Sequence, residues 1–394
     1  MGITVDVAVR CLNKHGEILC GDTVEMLKTP DSDVIILADG MGSGVKASIL
    51  STLTAKILGT MFAGGATLEE CVDTVVRTLP IEQKRGVAYS TFSIIQVFQS
   101  GEVYSVEYDN PRCIYLRCGY PFSVPVNRRT VCGKELLECR FQVQPMDAIL
   151  LMSDGVTHAG VGQLGEYAFG WPWEDVAERA SELCISTHSS VRMAQGILDR
   201  CREIYEGHPR DDTTVVAIRM VPAQTVHIMT GPPKNLEDDE RIVADFLRDS
   251  NAKKVVAGGT SATILSRETG RPLTVSLDYF DPDIPPMATM EGIDLVTEGI
   301  LTLRKTTELL EIWHGTEEPG QELFDELDKK NGAAMLAKML IEECTDVVMF
   351  VGTAVNTAYQ NPDLPTDLRI RKMIIKRFLD AVKALGKRVT VNYY

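Results

Sequence analysis

Val34-Ile35-Ile36-Leu37-Ala38-Asp39-Gly40-Met41-Gly42-Ser43-Gly44-Val45-Lys46-Ala47-Ser48 is the stretch that decides the architecture of the first half of the chain. Its opening run of apolar, largely β-branched residues predicts a strand, and burial of that strand drives the aspartate after it to the edge of a sheet. The glycine at 40 lets the backbone turn sharply and come close to a ligand. Apolar residues at helical spacing then run from Gly44 to Met61, so strand, tight turn and helix follow one another, with the helix dipole favouring an anion at its start. A P-loop is excluded, because Lys46 does not directly follow a glycine and no Gly-Lys-Ser/Thr occurs.

The same local setting recurs at Gly21-Asp22, at Asp154-Gly155 after the apolar run Ala148 to Met152, and at Asp211-Asp212. One Asp-Gly alone is an ordinary turn. Four acidic positions, each at a strand end or in a tight turn beside glycine or a second acid, form a constellation. Carboxylates that converge on one sheet end repel one another unless cations neutralise them, and all-oxygen ligation selects Mg2+ or Mn2+ over zinc. Two such ions about 3.5 to 4 Å apart can each bind a phosphate oxygen and hold a bridging water for in-line attack on phosphorus. Asp31-Ser32-Asp33 has the D-x-D form of haloacid-dehalogenase phosphatases, but it precedes its strand and falls at the wrong end of the sheet.

VIILADGMGSGVKAS (Val34 to Ser48), ILLMSDGVT (Ile149 to Thr157) and DDTTVV (Asp211 to Val216) resemble, in order and spacing, the three signature blocks of SpoIIE-type PP2C phosphatases. The resemblance covers Met1 to about Met220 and implies a PP2C-like β-sandwich flanked by helices. It implies a serine/threonine phosphoprotein phosphatase with two Mn2+ or Mg2+, acting on a small bacterial signalling protein such as an anti-sigma-factor antagonist. Carried over by position, Asp39 bridges both metals and the Gly40 carbonyl is a ligand. Asp154 and Asp211 complete one shell, and Asp22 supports the second metal directly or through water. Asp212 stands where the family often has Asn, outside the ligand set. The family commonly continues S-D-G-V-T with Glu-Ala, whereas here His158-Ala159 follows, which leaves His158 between a proton donor to the leaving oxygen and a structural histidine. No early arginine is placed like the phosphate-gripping one of the eukaryotic enzymes. Because the expected aspartates are all present, a phosphatase is favoured over a catalytically weak phosphoprotein-binding module.

Around this core, short strands and amphipathic helices alternate irregularly up to Val221, which predicts an α+β domain over residues 1–222. From 223 to 394 strand and helix alternate, as in a three-layer α/β domain of no recognised family. Two of its strands run into Gly-Thr, at Lys253 to Leu265 and Asp346 to Ala358. Such ends either present backbone N–H groups to a small molecule or anion, or merely allow tight turns. Glu291, Asp294 and Glu298 would share a face if their segment is helical, most simply a solvated one. By resemblance this domain is regulatory, with homodimerisation as a second role.

A formal charge of -15 and the lack of basic runs interleaved with aromatics argue against nucleic acid. The ten cysteines include no C-x-x-C pair and read as buried thiols. No apolar stretch approaches the roughly 18 residues that cross a bilayer, and the chain opens without a secretory pattern, so no membrane association and a cytoplasmic location are expected.

Overall fold

A computed structural model describes residues 3–79, 90–187, 189–276, 284–315, 320–354 and 367–394. They divide into two compact units, Met1–Pro222 and Ala223–Tyr394.

In chain order the strands of the first unit are β1 (Ile3–Leu12), β2 (Asp22–Lys28), β3 (Ser32–Gly40), β4 (Ser90–Phe98), β5 (Glu102–Tyr108), β6 (Ile114–Arg117), β7 (Tyr120–Pro121), β8 (Asn127–Val131), β9 (Lys134–Gln142), β10 (Ala148–Met152) and β11 (Thr213–Pro222). Its helices are α1 (Gly44–Ala63), α2 (Leu68–Thr78), α3 (Asp154–Thr157), α4 (Trp173–Ser186) and α5 (Ser190–Ile204). Two antiparallel sheets, ordered β1-β11-β10-β6-β7 and β2-β3-β4-β5-β9-β8, make an α+β sandwich.

Alternation along β3 explains its unbroken apolar sequence. Ile35 and Leu37 pack between the sheets with Ile95, Ile149, Leu151, Val216 and Ile218. Val34, Ile36 and Ala38 face the other way, against Leu50 and Leu58 of α1 and Val72 of α2. A strand covered on both faces has no position for a polar residue until it leaves the core, and β3 leaves it at Asp39. Strand β10 is covered in the same manner, with Leu150 and Met152 packed against Ile197 and Leu198 of α5.

The second unit contains β12 (Thr225–Thr230), α6 (Asp239–Leu247), β13 (Lys253–Ala257), α7 (Gly259–Thr269), β14 (Thr274–Val275), β15 (Ala288–Thr289), β16 (Leu295–Thr297), α8 (Ile300–Gly315), α9 (Gln321–Leu327), α10 (Gly332–Lys338), β17 (Asp346–Val351), α11 (Asp367–Ala384) and β18 (Arg388–Tyr393). Its sheet runs β14-β15-β16-β13-β12-β17-β18, with β16, β13, β12, β17 and β18 all parallel. Helices α6 and α7 pack together, as do α8, α10 and α11, giving three layers.

Strands β2, β7, β15 and β16, the β8–β9 hairpin and helices α3, α4, α7 and α9 add to the elements expected from the sequence. The segment holding Glu291, Asp294 and Glu298 is not helical; it is β15, a turn and β16, so the three acids share no helix face. Asp294 instead accepts the Lys254 amide at 2.7 Å. The sequence predicts strands over Tyr89 to Phe98 and Thr274 to Leu277; Tyr89, Leu277 and residues 355–358 of the second Gly-Thr stretch lie outside the described residues.

Candidate metal centre

Each sheet of the first unit delivers carboxylates to one place. In the six-stranded sheet β2 and β3 pair so that Asp22 stands directly opposite Asp39. In the other sheet β10 and β11 pair antiparallel, Met152 opposite Val215, with Asp154 just beyond one strand and Asp211 just before the next. Asp22 therefore opens its strand rather than sitting in a loop. Asp33 lies opposite Lys28, at the far end of β3 from Asp39, which removes the D-x-D stretch from the site.

These four side chains feel one another. Burial, followed by the charges of Asp22, Asp154 and Asp211, pushes the Asp39 carboxyl well above the usual carboxylate range. Asp22 is raised too, first by burial and then by Asp212 and Asp154, while the hydroxyls of Thr214 and Ser153 ease the burden. Those hydroxyls do not reach hydrogen-bond geometry, because both Asp22 oxygens are buried without a partner. Asp211 is likewise raised by burial and by Asp154, with Lys14 pulling the other way. Ligand atoms of Asp154, His158 and Asp211 all fall within 4.8 Å of one another.

Unpartnered buried carboxylate oxygens are strongly unfavourable unless a cation answers them. Asp212 adds a third such atom: its Oδ1 accepts the Lys14 amide at 3.0 Å, but its buried Oδ2 has no partner. Orphaned oxygens from both sheets, and a donor set dominated by carboxylates, fit hard divalent cations of the Mg2+ or Mn2+ kind. Among the described residues, His158 is the one nitrogen in the ligand cluster with Asp154 and Asp211. It is exposed and places Nδ1 3.5 Å from Asp154 Oδ2.

Backbone closeness shapes the centre as much as charge. A Cβ on Gly40 would lie 2.1 Å from the Ala47 carbonyl oxygen, so α1 could not pack against the end of β3 if residue 40 had a side chain. Helix α1 does not offer its N-terminus to an outside anion as expected. The Ser43 hydroxyl there donates to Glu17 Oε1 at 3.1 Å, so the chain already supplies a carboxylate.

Several neighbours were not among the expected site residues. Tyr205 holds the start of α3 by donating its hydroxyl to the Gly155 carbonyl at 2.7 Å. Ser153 accepts the Thr214 amide at 2.8 Å and so ties the Asp154 turn to β11. Ser153 and Thr214 lie inside the motif blocks Ile149 to Thr157 and Asp211 to Val216 and could have been found there, whereas nothing in the sequence singles out Lys14.

Residues 30–221, just under half of the chain, match the model of the family Stage II sporulation protein E (SpoIIE). No curated protein matches the chain. Among solved structures it is similar to the PP2C phosphatase domain with a fragment of the regulatory domain of the cell fate determinant SpoIIE from Bacillus subtilis, at 18% identity and a TM-score of 0.47, covering 56% of this chain and 64% of that one. It is also similar to RsbU and RsbW domains from Mycobacterium tuberculosis, at 18% identity and a TM-score of 0.46, covering 63% of this chain and 68% of that one. A further similar structure is the catalytic domain of the serine threonine protein phosphatase PstP in complex with 2 manganese ions, at 16% identity and a TM-score of 0.39, covering 56% of this chain and all of that one. The chain thus spans less than two thirds of the SpoIIE structure.

Proposed function

We propose, with the SpoIIE match over residues 30–221 as premise, that the first unit is a metal-dependent phosphatase of phosphoserine and phosphothreonine in proteins. The observation that carries this reading is the meeting of Asp22, Asp39, Asp154 and Asp211 with buried, unpartnered carboxylate oxygens among them. Asp39, the Gly40 carbonyl, Asp22, Asp154 and Asp211 would hold two Mn2+ or Mg2+. Bound there, such ions supply Lewis acidity that draws phosphate oxygens and makes water a competent nucleophile near neutral pH.

In the hydrolysis a water oxygen bonds to phosphorus as the bond from phosphorus to the serine or threonine oxygen breaks, and that oxygen takes up a proton. In this reading His158, exposed beside Asp154, would give it. Asp212 holds the Lys14 amide and thereby fixes the loop that brings the Lys14 charge toward Asp211.

A protein substrate is favoured over a free metabolite by the apolar surface next to the centre. Ile18 is 89% exposed just before Asp22, and Val45 and Ile49, one helical turn apart on α1, are 62% and 53% exposed. Exposed apolar residues that flank the motif aspartates Asp22 and Asp39 in sequence suit docking of a folded partner. The family match makes a small phosphorylated bacterial signalling protein, of the anti-sigma-factor-antagonist type, the substrate to try first. The second unit is then a regulatory module in the cytoplasm, with dimerisation as a further role.

The test is phosphate release from such a phosphoprotein and from p-nitrophenyl phosphate, with Mn2+ and with EDTA. Turnover is expected only with the metal, accompanied by a rise in melting temperature, since a ligand of the native state alone stabilises it. Equal rates in EDTA would sink the metal-centre reading, and phosphoprotein binding without turnover would favour the binding-module alternative. Ile49→Glu separates docking from chemistry. It should lower kcat/KM for the phosphoprotein about tenfold, the scale of losing one interface anchor, and leave p-nitrophenyl phosphate hydrolysis unchanged.

A further inference from the structure

In the second unit the parallel strands step from β12 through β13 to β16 on one side and from β17 to β18 on the other, so strand order reverses beside β12. In open parallel sheets ligands bind beyond the carboxyl ends of the strands near that reversal. Here those ends are marked by glycines. Gly258, between β13 and α7, has φ 139° and ψ 130°, a conformation reserved for glycine, and no side chain caps the N-terminus of α7. A Cβ placed on Gly258 would lie 3.4 Å from Ser261 Oγ and 4.0 Å from the Gly231 nitrogen at the end of β12.

Ser261 provides the independent sign of a ligand. Its side chain is fully buried in the first turn of α7, it points back to the Gly258 cap, and its Oγ has no hydrogen-bond partner. A buried hydroxyl left without a partner is disfavoured unless a group absent from the protein alone completes it. Thr302, in the first turn of α8, is equally buried and equally unpartnered. The two helix starts adjoin: a Cβ on Gly299 would lie 3.3 Å from Gly258 Cα.

Charge distinguishes the two helix starts. Glu298 Oε2 accepts the Leu301 amide at 2.9 Å, so α8 already carries a carboxylate at its N-terminus. Helix α7 carries no acidic residue in its first turn. The Arg371 guanidinium lies against Gly231, donating to the carbonyl oxygens of Thr230 and Gly352. An anion is thus favoured at α7 by its dipole and amides, while Glu298 at the end of the next strand is an acceptor for hydroxyl groups.

We infer that the Gly258–Ser261 turn binds the phosphate of a nucleotide, with Ser261 Oγ donating to a phosphate oxygen and Glu298 accepting from a sugar hydroxyl. This site is independent of the chemistry assigned to the first unit.

Isothermal titration of the full chain with AMP, ADP, NAD+ and inorganic phosphate, in EDTA, tests the inference. Asp39→Asn serves as a second background, to exclude phosphate held by the first unit. At least one nucleotide should bind with Kd below about 1 mM, at least about tenfold more tightly than inorganic phosphate, and equally in both backgrounds. Thr260→Glu places a carboxylate at an exposed position in the first turn of α7, where it suits the helix dipole and keeps the fold. It should weaken that binding at least about tenfold while the melting temperature holds or rises, and Ser261→Ala should weaken it several-fold. Absence of nucleotide binding, phosphate binding as tight as the nucleotide, or binding unaffected by Thr260→Glu would each overturn the inference.

Discussion

Asp39→Asn is expected to lower kcat for phosphoprotein hydrolysis in Mn2+ by about 10² to 10³-fold, the scale of losing one preorganised electrostatic group. The same variant should melt at a higher temperature than the wild type when both are stripped of metal. The two effects share a cause. Asp39 stands among Asp22, Asp154 and Asp211, and burial together with their charges raises its carboxyl far above the ordinary range. Without a cation that placement is unfavourable to folding; asparagine keeps the shape and removes the charge. If relief amounts to about 1 to 2 kcal/mol, a unit of this size gains roughly 2–4 °C per kcal/mol. Melting curves in EDTA and in Mn2+ are the measurement. Wild-type activity in the variant would remove Asp39 from the centre, and an unchanged melting point in EDTA would show that the carboxylates do not strain the metal-free fold.

Gly155→Ala should act through the backbone. Its Cβ would lie 2.1 Å from the Asp212 carbonyl oxygen and 2.6 Å from Thr213 Oγ1, neither of which can swing away as a long side chain would. The turn carrying Asp154 and the segment carrying Asp211 must separate. Overpacking of this kind destabilises by about 1–3 kcal/mol, and displacing a catalytic group by about 1 Å can lower turnover by about 100-fold. Gly133→Ala in the β8–β9 hairpin is the control. Gly133 has φ 76° but nothing within 4 Å of its Cβ position, so only backbone strain of about 1–2 kcal/mol is expected, with turnover intact. Urea midpoints and phosphate release distinguish the two variants. Equal turnover in both would show that the close approach at Gly155 does not govern the site.

The sequence showed the centre more clearly than the layers around it, for physical reasons. Strands β3 and β10 are buried on both faces, so their apolar runs are unbroken and the aspartates that end them are conspicuous. The β8–β9 hairpin carries exposed charges such as Arg128 and Glu135 between a few buried residues such as Val131 and Leu136, and a hairpin of that kind shows little hydrophobic pattern. Helix α4 buries only Val176, Ala177, Ala180 and Cys184 among many charged residues, a narrow stripe that is easily passed over. In Lys253 to Leu265 the Gly-Gly-Thr run reads as a turn after the strand, whereas α7 begins at Gly259, where packing of Ala262, Ile264 and Leu265 overrides weak local preference. Three-dimensional placement, not residue type, identifies Lys14 and Tyr205, since a backbone amide and a single hydroxyl leave no mark in the sequence.

Strand β1 pairs with β11 along ten consecutive residues, from Ile3 opposite Pro222 to Leu12 opposite Thr213. The first strand of the unit therefore waits for the last, which a ribosome adding about 5–20 residues per second delivers roughly ten to forty seconds later. Until then β1 has an open edge, and Asp211 is not yet available to meet Asp154. Long-range closure of this kind slows folding, because the entropy of closing the loop is lost before the contacts form. The proposed metal centre is accordingly among the last features of the unit to assemble on a growing chain, and a product truncated before Asp211 would carry three of the four aspartates without the strand that gathers them.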